Sequence, residues 1–191
     1  MRGSAIALDT VRPQPWRNGG GVTRELVAWP SRDDWRVRVS VADIDADGPF
    51  SVLDGVVRWF AVVEGAGVVL DFGGVEQRLL CTDAPIRFDG GSAPTCRLIE
   101  GRTRDLNLML RGASGAMARA FDHRPWSPAG DACALFTGVG GVVHAGNVRE
   151  RVAAFVLRIF AAPPATLRFA ADSDVGAPVG WWLQWSRGGV Q

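Results

Sequence analysis

Polar side chains on two strand-like segments of the chain could act together on an anion. The segment Asp105–Met109 alternates polar and apolar residues, which places Asp105 and Asn107 on one side of a strand, about 6.5–7 Å apart. Arg58 opens a second apolar segment that contains two aromatic residues. An arginine in such surroundings either forms a buried pair with Asp105 that stabilises the fold, or offers its guanidinium to the carboxylate of a ligand. The residues alone leave both roles open.

A second polar group surrounds three consecutive glycines near the start of the chain. The stretch PWRNGGGVTRE places Asn18, Gly19 and Gly20 in a loop, and Arg24 and Glu25 in the strand that follows. The loop is either a turn kept for its backbone shape or a place where another group approaches the backbone closely. In the second case its N–H groups could bind an anion.

Other kinds of chemistry have little support in the residues. The chain has two histidines, His123 and His144, which are far apart, whereas a metal site of the common β-barrel type needs about three imidazole or carboxylate ligands. No Gly-x-Ser-x-Gly motif is present, and Cys96 and Cys133 lie in apolar segments without a nearby histidine. We therefore expect no metal, no cofactor and no cysteine nucleophile.

The composition limits the partners. The formal net charge is +1, and all 21 basic residues are arginines. Such a balance gives no reason to expect binding to nucleic acid or to an anionic membrane. Three widely spaced cysteines do not form a disulfide framework, and no apolar stretch is long enough for a membrane span or resembles a signal peptide. These features predict a soluble, cytoplasmic protein.

Short apolar segments separated by glycine-rich turns predict an all-β fold. Residues 35–42 alternate cleanly, with Arg38 and Ser40 on the face opposite three valines. Residues 57–64 and 68–72 flank Gly65–Gly67 and predict a hairpin. Further strands are expected in the second half, where residues 114–124 fit either a strand or a short helix. The closing strand is expected to pack its tryptophans in the core or, alternatively, against another subunit.

Two tandem β units account for this pattern. Residues 121–131 contain two prolines and several polar residues, and they read as a connection. We expect one small β-barrel over residues 1–120 and a smaller one over 121–191, packed together as one body.

The longest motifs resemble the HutD/Ves family of cupin-like proteins. Four blocks carry this resemblance in family order: PWRNGGGVTREL (15–26), VSVADIDADGPFSVLDGVVRWFAVVEGAGVVL (39–70), PIRFDGG (85–91) and LIEGRTRDLNLMLRG (98–112). The resemblance implies a bicupin, that is, two small β-barrels of the RmlC-like cupin type without the usual metal-binding histidines. It also implies a regulatory role in histidine utilisation through binding of a pathway intermediate such as N-formylglutamate. Where the family often has an acidic residue, this chain has Gly91.

The resemblance assigns a set of motif positions to the ligand site. Arg58 is expected to hold the carboxylate, with Asn18, Asp105 and Asn107 as hydrogen-bonding partners. The remaining candidates are Gly19, Gly20, Arg24, Glu25, Ser40 and Met109. Two rival interpretations are an enzyme that uses Asp105 or Glu25 as a general base, and a protein–protein interaction module. A binding protein without catalysis is favoured over the enzyme, and assembly into a homodimer is left open.

Overall fold

The computed structural model describes residues 3–172 and 178–186 of the chain, and its regular elements are β-strands and two short 3-10 turns. The strands are β1 (Ala5–Ala7), β2 (Gln14–Pro15), β3 (Gly21–Trp29), β4 (Val37–Ile44), β5 (Gly48–Pro49), β6 (Val56–Glu64), β7 (Val68–Asp71), β8 (Glu76–Leu79), β9 (Ile86–Asp89), β10 (Thr95–Leu98), β11 (Thr103–Arg111), β12 (Ser114–Ala120), β13 (Ala132–Thr137), β14 (Gly141–Ala145), β15 (Val148–Val152), β16 (Val156–Phe160), β17 (Leu167–Ala171) and β18 (Gly180–Ser186). The all-β prediction is confirmed, and the segment left undecided at residues 114–124 contains a strand. Within these residues, no helix has the length and apolarity needed to cross a membrane.

The chain divides into two compact units. Arg12–Gly112 forms the N-terminal unit, and Met1–Val11 together with Ala113–Gln191 forms the C-terminal unit. The first residues join the C-terminal unit because β1 pairs with β16. Strand β12 joins it because β12 pairs with β18 along its whole length.

The N-terminal unit consists of two sheets. One has six strands in the order β2-β3-β4-β11-β6-β9, and the other has four in the order β5-β10-β7-β8. Apolar side chains of both sheets, among them Ile44, Phe60, Val68 and Leu70, form one buried cluster. Strands β4 and β11 lie at the centre of the larger sheet, so their side chains alternate between its two faces with a period of two.

The predicted hairpin of β6 and β7 is wrong. Strand β6 pairs with β11 and β9, whereas β7 pairs with β10 and β8, so the chain passes from one sheet to the other at Gly65–Gly67. Both glycines have positive φ, and a Cβ atom on Gly67 would lie 2.3 Å from the carbonyl oxygen of Leu79. The glycines therefore allow the chain to cross from one sheet to the other. The composition of a turn does not distinguish such a crossing from a hairpin.

The C-terminal unit has a five-stranded sheet in the order β1-β16-β13-β18-β12 and a three-stranded sheet in the order β15-β14-β17. Its core cluster contains Leu135, Phe169 and Trp182, and the ring of Trp126 stacks on Trp182 at 4.9 Å. Strand β15 ends at Val152 and β16 begins at Val156, and between them Phe155 has a φ of 55°. The tryptophans of β18 are buried, in agreement with core packing.

Candidate functional site

The N-terminal unit contains a cavity of about 680 Å³. Its floor is formed by alternate residues of the adjacent strands β4, β11 and β6, and its rim by the segments around residues 14–18 and 49–53. The volume lies within the range typical of sites for small molecules. The lining residues are Gln14, Pro15, Trp16, Arg17, Asn18, Thr23, Arg38, Ser40, Ala42, Ile44, Pro49, Phe50, Ser51, Leu53, Arg58, Phe60, Asn107 and Met109. Three of them are arginines, and none is acidic.

Arg58 is the buried cation of this cavity, with 5% of its surface exposed. Its guanidinium packs against the rings of Phe50 and Phe88, with Cζ 4.8 and 5.2 Å from their centroids. One terminal nitrogen donates a hydrogen bond of 2.8 Å to Oδ1 of Asn107. Within the described residues, Arg58 has no acidic partner and its Nε has no hydrogen-bond partner. Burial, and then the charge of Arg38, lower the pKa of Arg58 to about 10, so it remains protonated at neutral pH.

The register of the central strands places a second arginine opposite the first. Met109 on β11 pairs with Arg38 on β4 and with Arg58 on β6. Because neighbouring strands are about 4.8 Å apart, the two arginine Cα atoms are separated by about 10 Å across the cavity floor. In the next row of the same face, Asn107 lies between Ser40 and Phe60.

Glu25 contacts Arg38 from outside the cavity lining. Its Oε2 is 2.9 Å from Nε of Arg38, and its Oε1 is 2.9 Å from Nε of Arg32. The contact with Arg38 is an ion pair by distance, but its angle does not suit a hydrogen bond from Nε. Glu25 thus orients and partly neutralises the second arginine, and it is not itself part of the cavity lining.

Asp105 is fully buried but does not line the cavity. Oδ2 accepts a hydrogen bond of 2.8 Å from the Thr103 hydroxyl, while Oδ1 has no partner among the described residues. Burial, together with the charge of Asp43, raises the pKa of Asp105 well above its usual range despite the hydrogen bond. Of the two roles considered for Arg58, the buried pair with Asp105 is wrong, since Arg58 donates to the amide of Asn107.

The glycine loop contributes one side chain to the cavity, that of Asn18. The N–H of Gly19 donates to the carbonyl of Trp16 at 3.1 Å, and the N–H of Gly20 donates to Oδ1 of Asn18 at 3.1 Å. Gly19 has φ of 72°, and a Cβ on Gly21 would lie 2.3 Å from the carbonyl oxygen of Asp43. Turn shape and close backbone packing therefore explain the glycines, and the N–H groups of Gly19 and Gly20 are already bonded within the loop.

Arg24 lies on the opposite face of the sheet from the cavity. Its terminal nitrogen is 2.6 Å from Oδ2 of Asp43, whose other oxygen accepts a hydrogen bond of 2.7 Å from Arg104. Thr23 and Glu25 point to the cavity side of β3, so the alternation of the strand turns Arg24 away. The structure therefore brings Arg58, Asn18, Ser40, Asn107 and Met109 together, whereas Arg24, Glu25, Asp105, Gly19 and Gly20 lie outside the lining.

Several lining residues escaped the sequence prediction. Arg38 shares its strand face with Ser40, and this alternation was a usable signal. Phe50 and Trp16 occur in the family motifs, but their types suggest packing as readily as a site. Arg17 and Gln14 carry no sequence pattern that distinguishes them from loop residues.

No cluster of three metal-binding side chains occurs among the described residues, and burial raises the pKa of both the Cys96 and the Cys133 thiol to about 12.

Comparison with known proteins identifies the family. The HutD family model matches residues 8–150 of the chain. The chain belongs to the HutD family. Among the solved structures with the same fold, that of HutD from Pseudomonas fluorescens SBW25, described as a formate condition, superposes with a TM-score of 0.82 at 23% identity. It covers 98% of this chain, and the alignment spans 100% of that chain. The structure of protein Ylba from E. coli superposes with a TM-score of 0.68 at 8% identity, and the alignment covers 95% of this chain and 89% of that chain.

Two curated relatives match about half of the chain by sequence. An uncharacterized 21.2 kDa protein from the hutC 3' region of Pseudomonas putida is 37% identical over 97 residues, which cover 50% of this chain and 51% of that protein. Protein Ves of Cronobacter sakazakii is 36% identical over 97 residues, covering 50% of this chain and 54% of its own length. The chain thus spans about half the length of the curated relatives that it matches.

Proposed function

We propose that the cavity of the N-terminal unit binds a small carboxylate metabolite, N-formylglutamate or another intermediate of histidine degradation, and that this binding regulates histidine utilisation. In this proposal the protein is a cytoplasmic bicupin, with both units closed as cupin barrels, and the binding site lies in one of them. The relative from the hutC 3' region and the membership in the HutD family support the metabolic context.

The observation that carries the proposal is the state of Arg58. A buried guanidinium without an acidic partner is unfavourable, because burial removes water from the charge. Among the described residues, only the amide of Asn107 and the rings of Phe50 and Phe88 compensate for this loss. A carboxylate that enters the cavity replaces this water and accepts charge-assisted hydrogen bonds from the free guanidinium N–H groups. Asn107 holds the guanidinium in place, so the cation is ordered before the ligand arrives.

The second arginine favours a ligand with a further acidic or polar end. Arg38 lies across Met109 from Arg58, and its side chain is 25% exposed. N-formylglutamate has two carboxylates and an amide, which suit two arginines and the side chains of Asn18 and Asn107. A catalytic role finds less support, since Asp105 and Glu25, the two candidate general bases, do not line the cavity.

Calorimetric titration tests the binding. N-formylglutamate, formiminoglutamate, urocanate, histidine and formate are titrated into the protein, into Arg58→Met and into Arg87→Met. Arg87 is an exposed arginine of β9 next to Phe88, so its replacement changes the charge equally without touching the cavity. Because truncation of a buried charge pair costs about 2–5 kcal/mol, Arg58→Met should lose about 30-fold or more in affinity, and Arg87→Met should bind like the parent. Failure of all five compounds to bind, or equal binding to Arg58→Met, would contradict the proposal.

Growth on histidine tests the regulation separately. If occupancy of the cavity is what controls histidine utilisation, cells that carry Arg58→Met should respond to histidine as cells that lack the gene do. Cells with Arg87→Met should respond normally. If the Arg58→Met cells respond normally although binding is lost in vitro, occupancy of the cavity does not control histidine utilisation.

A further inference from the structure

The outer face of the three-stranded sheet of the C-terminal unit carries a row of basic side chains, two arginines with a histidine between them. Strand register places Arg149 on β15 and Arg168 on β17 directly beside His144 on β14. The opposite face of the same strands carries Val143, Phe169 and other core residues, so the row points outward. Both arginines are exposed. We name Arg149, His144 and Arg168 the basic row.

Each arginine lies directly beside His144 on a neighbouring strand. Protonation of the histidine would therefore place like charges opposite each other, which destabilises a sheet. Within the described residues, Arg149 and Arg168 form no ion pair, whereas Arg151 on the same face is 2.8 Å from Asp172. Partial desolvation, and then the charges of the two flanking arginines and of His123, hold the pKa of His144 below its usual value. The two exposed arginines are therefore left without an acidic partner among the described residues.

We propose that this face is a docking surface for an acidic segment of a partner protein. Charge complementarity identifies the partner: a strand or extended segment with aspartates or glutamates on alternate positions would lie across the row and neutralise it. The row spans two strand-to-strand distances, about 10 Å, which suits two or three carboxylates.

Nucleic acid suits the face less well. The neighbouring outward residues in the register are Val142, Arg151 and Ala170, so this part of the face has no aromatic side chain on which a base could stack. The chain as a whole carries a formal net charge of only +1, and a single row about 10 Å wide offers few phosphate contacts. A short acidic peptide needs neither stacking nor a long basic track.

Fluorescence anisotropy with a labelled oligoglutamate peptide tests the proposal on the full-length protein at low ionic strength. The variant Arg149→Ala/Arg168→Ala is compared with Arg78→Ala/Arg87→Ala, which removes the same charge from exposed positions of the N-terminal unit. Two surface charge pairs together contribute about 1–2 kcal/mol, so the first variant should weaken binding by about tenfold and the second should leave it unchanged. Binding should also weaken as salt is added, because the contacts are exposed.

Several outcomes overturn the proposal. If the peptide does not bind at low salt, or if both double variants weaken it equally, the surface recognises nothing beyond net charge. If an oligothymidylate of matched charge binds more tightly through the same two arginines, the partner is a nucleic acid. An independent readout is the NMR titration of His144: the acidic peptide should raise its pKa, and an unchanged pKa at saturation would exclude docking on the row. Arg149, Arg168 and His123 are the charged groups that face this imidazole.

Discussion

Each unit contains an arginine that stacks on a phenylalanine, but only one of these arginines has an acidic partner. In the C-terminal unit, Arg158 lies 4.8 Å from the ring centroid of Phe160, and Glu150 accepts its hydrogen bonds at 2.8 Å. In the N-terminal unit, Arg58 lies at the same distance from Phe50 but donates to an amide instead of a carboxylate. The interiors differ accordingly. One is filled by stacked tryptophans, and the other contains a cavity with an unneutralised cation.

The absence of an acidic partner at Arg58 indicates where in the molecule a ligand is expected. A stacked arginine with its own glutamate is a structural element, complete within the protein. Arg58 has no such glutamate among the described residues, so a ligand can provide the carboxylate that the guanidinium lacks. Substitutions in either unit test this difference, with expected effects that decrease from the packed core of the C-terminal unit to Arg58 itself.

The largest effect is expected in the filled interior. Trp182→Ala removes a side chain that is 2% exposed and stacks on Trp126. We expect the free energy of unfolding to fall by about 3–5 kcal/mol, since a large cavity is left in a packed core. Urea denaturation measures the change, with Trp182→Phe as the milder control. A loss below about 1 kcal/mol would show that this core is not tightly packed.

A carboxylate supplied by the protein should close the binding site. Met109→Glu places an acid between Arg38 and Arg58, and Met109→Gln has nearly the same shape without the charge. In the glutamate variant we expect the affinity for carboxylates to fall by about 30-fold or more, because the internal acid occupies the guanidinium. The glutamine variant should retain most of the binding. Equal loss in both variants would attribute the effect to shape alone.

Removal of the internal carboxylate should destabilise the other unit. Glu150→Gln leaves Arg158, whose side chain is 17% exposed, without its acidic partner. The expected loss is about 1–2 kcal/mol in the free energy of unfolding, measured by chemical denaturation. Glu76→Gln, which breaks the exposed pair with Arg97, serves as the control and should change stability by less than about 0.5 kcal/mol. If the two variants behave alike, Arg158 does not need its partner.

The buried acid Asp105 should make stability depend on pH. Its folded-state pKa is raised, so the folded protein holds the proton more tightly than the unfolded chain does. The stability that Asp105 contributes is therefore complete below the unfolded pKa of about 4 and declines as the pH rises from there, by at most about 1.4 kcal/mol per pH unit. Asp105→Asn removes this dependence, and denaturation between pH 4 and pH 8 should give a flatter profile than the parent. Parallel profiles would show that Asp105 ionises without penalty.

The smallest effect on stability is expected for Arg58→Met. The substitution removes an unneutralised buried cation and one hydrogen bond to Asn107, and these contributions oppose each other. We expect the free energy of unfolding to stay within about 1 kcal/mol of the parent. A much larger loss would mean that Arg58 is structural, like Arg158, and would remove the contrast between the units.

Sequence patterns predicted most of the strands, because alternation of polar and apolar residues has the same period as a strand. They did not predict the pairing, which depends on contacts between distant segments. The neighbours of Arg58 illustrate this: Arg58 pairs in register with Met109 on β11, so its guanidinium reaches the amide of Asn107 in the next row and not Asp105, one row further along. Arg24 lies in the glycine-rich motif PWRNGGGVTRE and is predicted to belong to the site, but strand alternation turns its side chain to the other face of the sheet. The same alternation turns the side chain of Arg38 into the cavity, which the sequence prediction missed.

Arginine at position 58 determines how the charge of the cavity depends on pH. With its pKa at about 10, the guanidinium keeps its charge throughout the neutral range. The chain contains no lysine whose pKa burial could bring into that range, and neither histidine lines the cavity. The charge that Arg58 presents in the cavity is therefore constant between pH 6 and pH 8. If the cavity binds a carboxylate as proposed, its occupancy would follow the amount of metabolite, without interference from a change in the charge of Arg58.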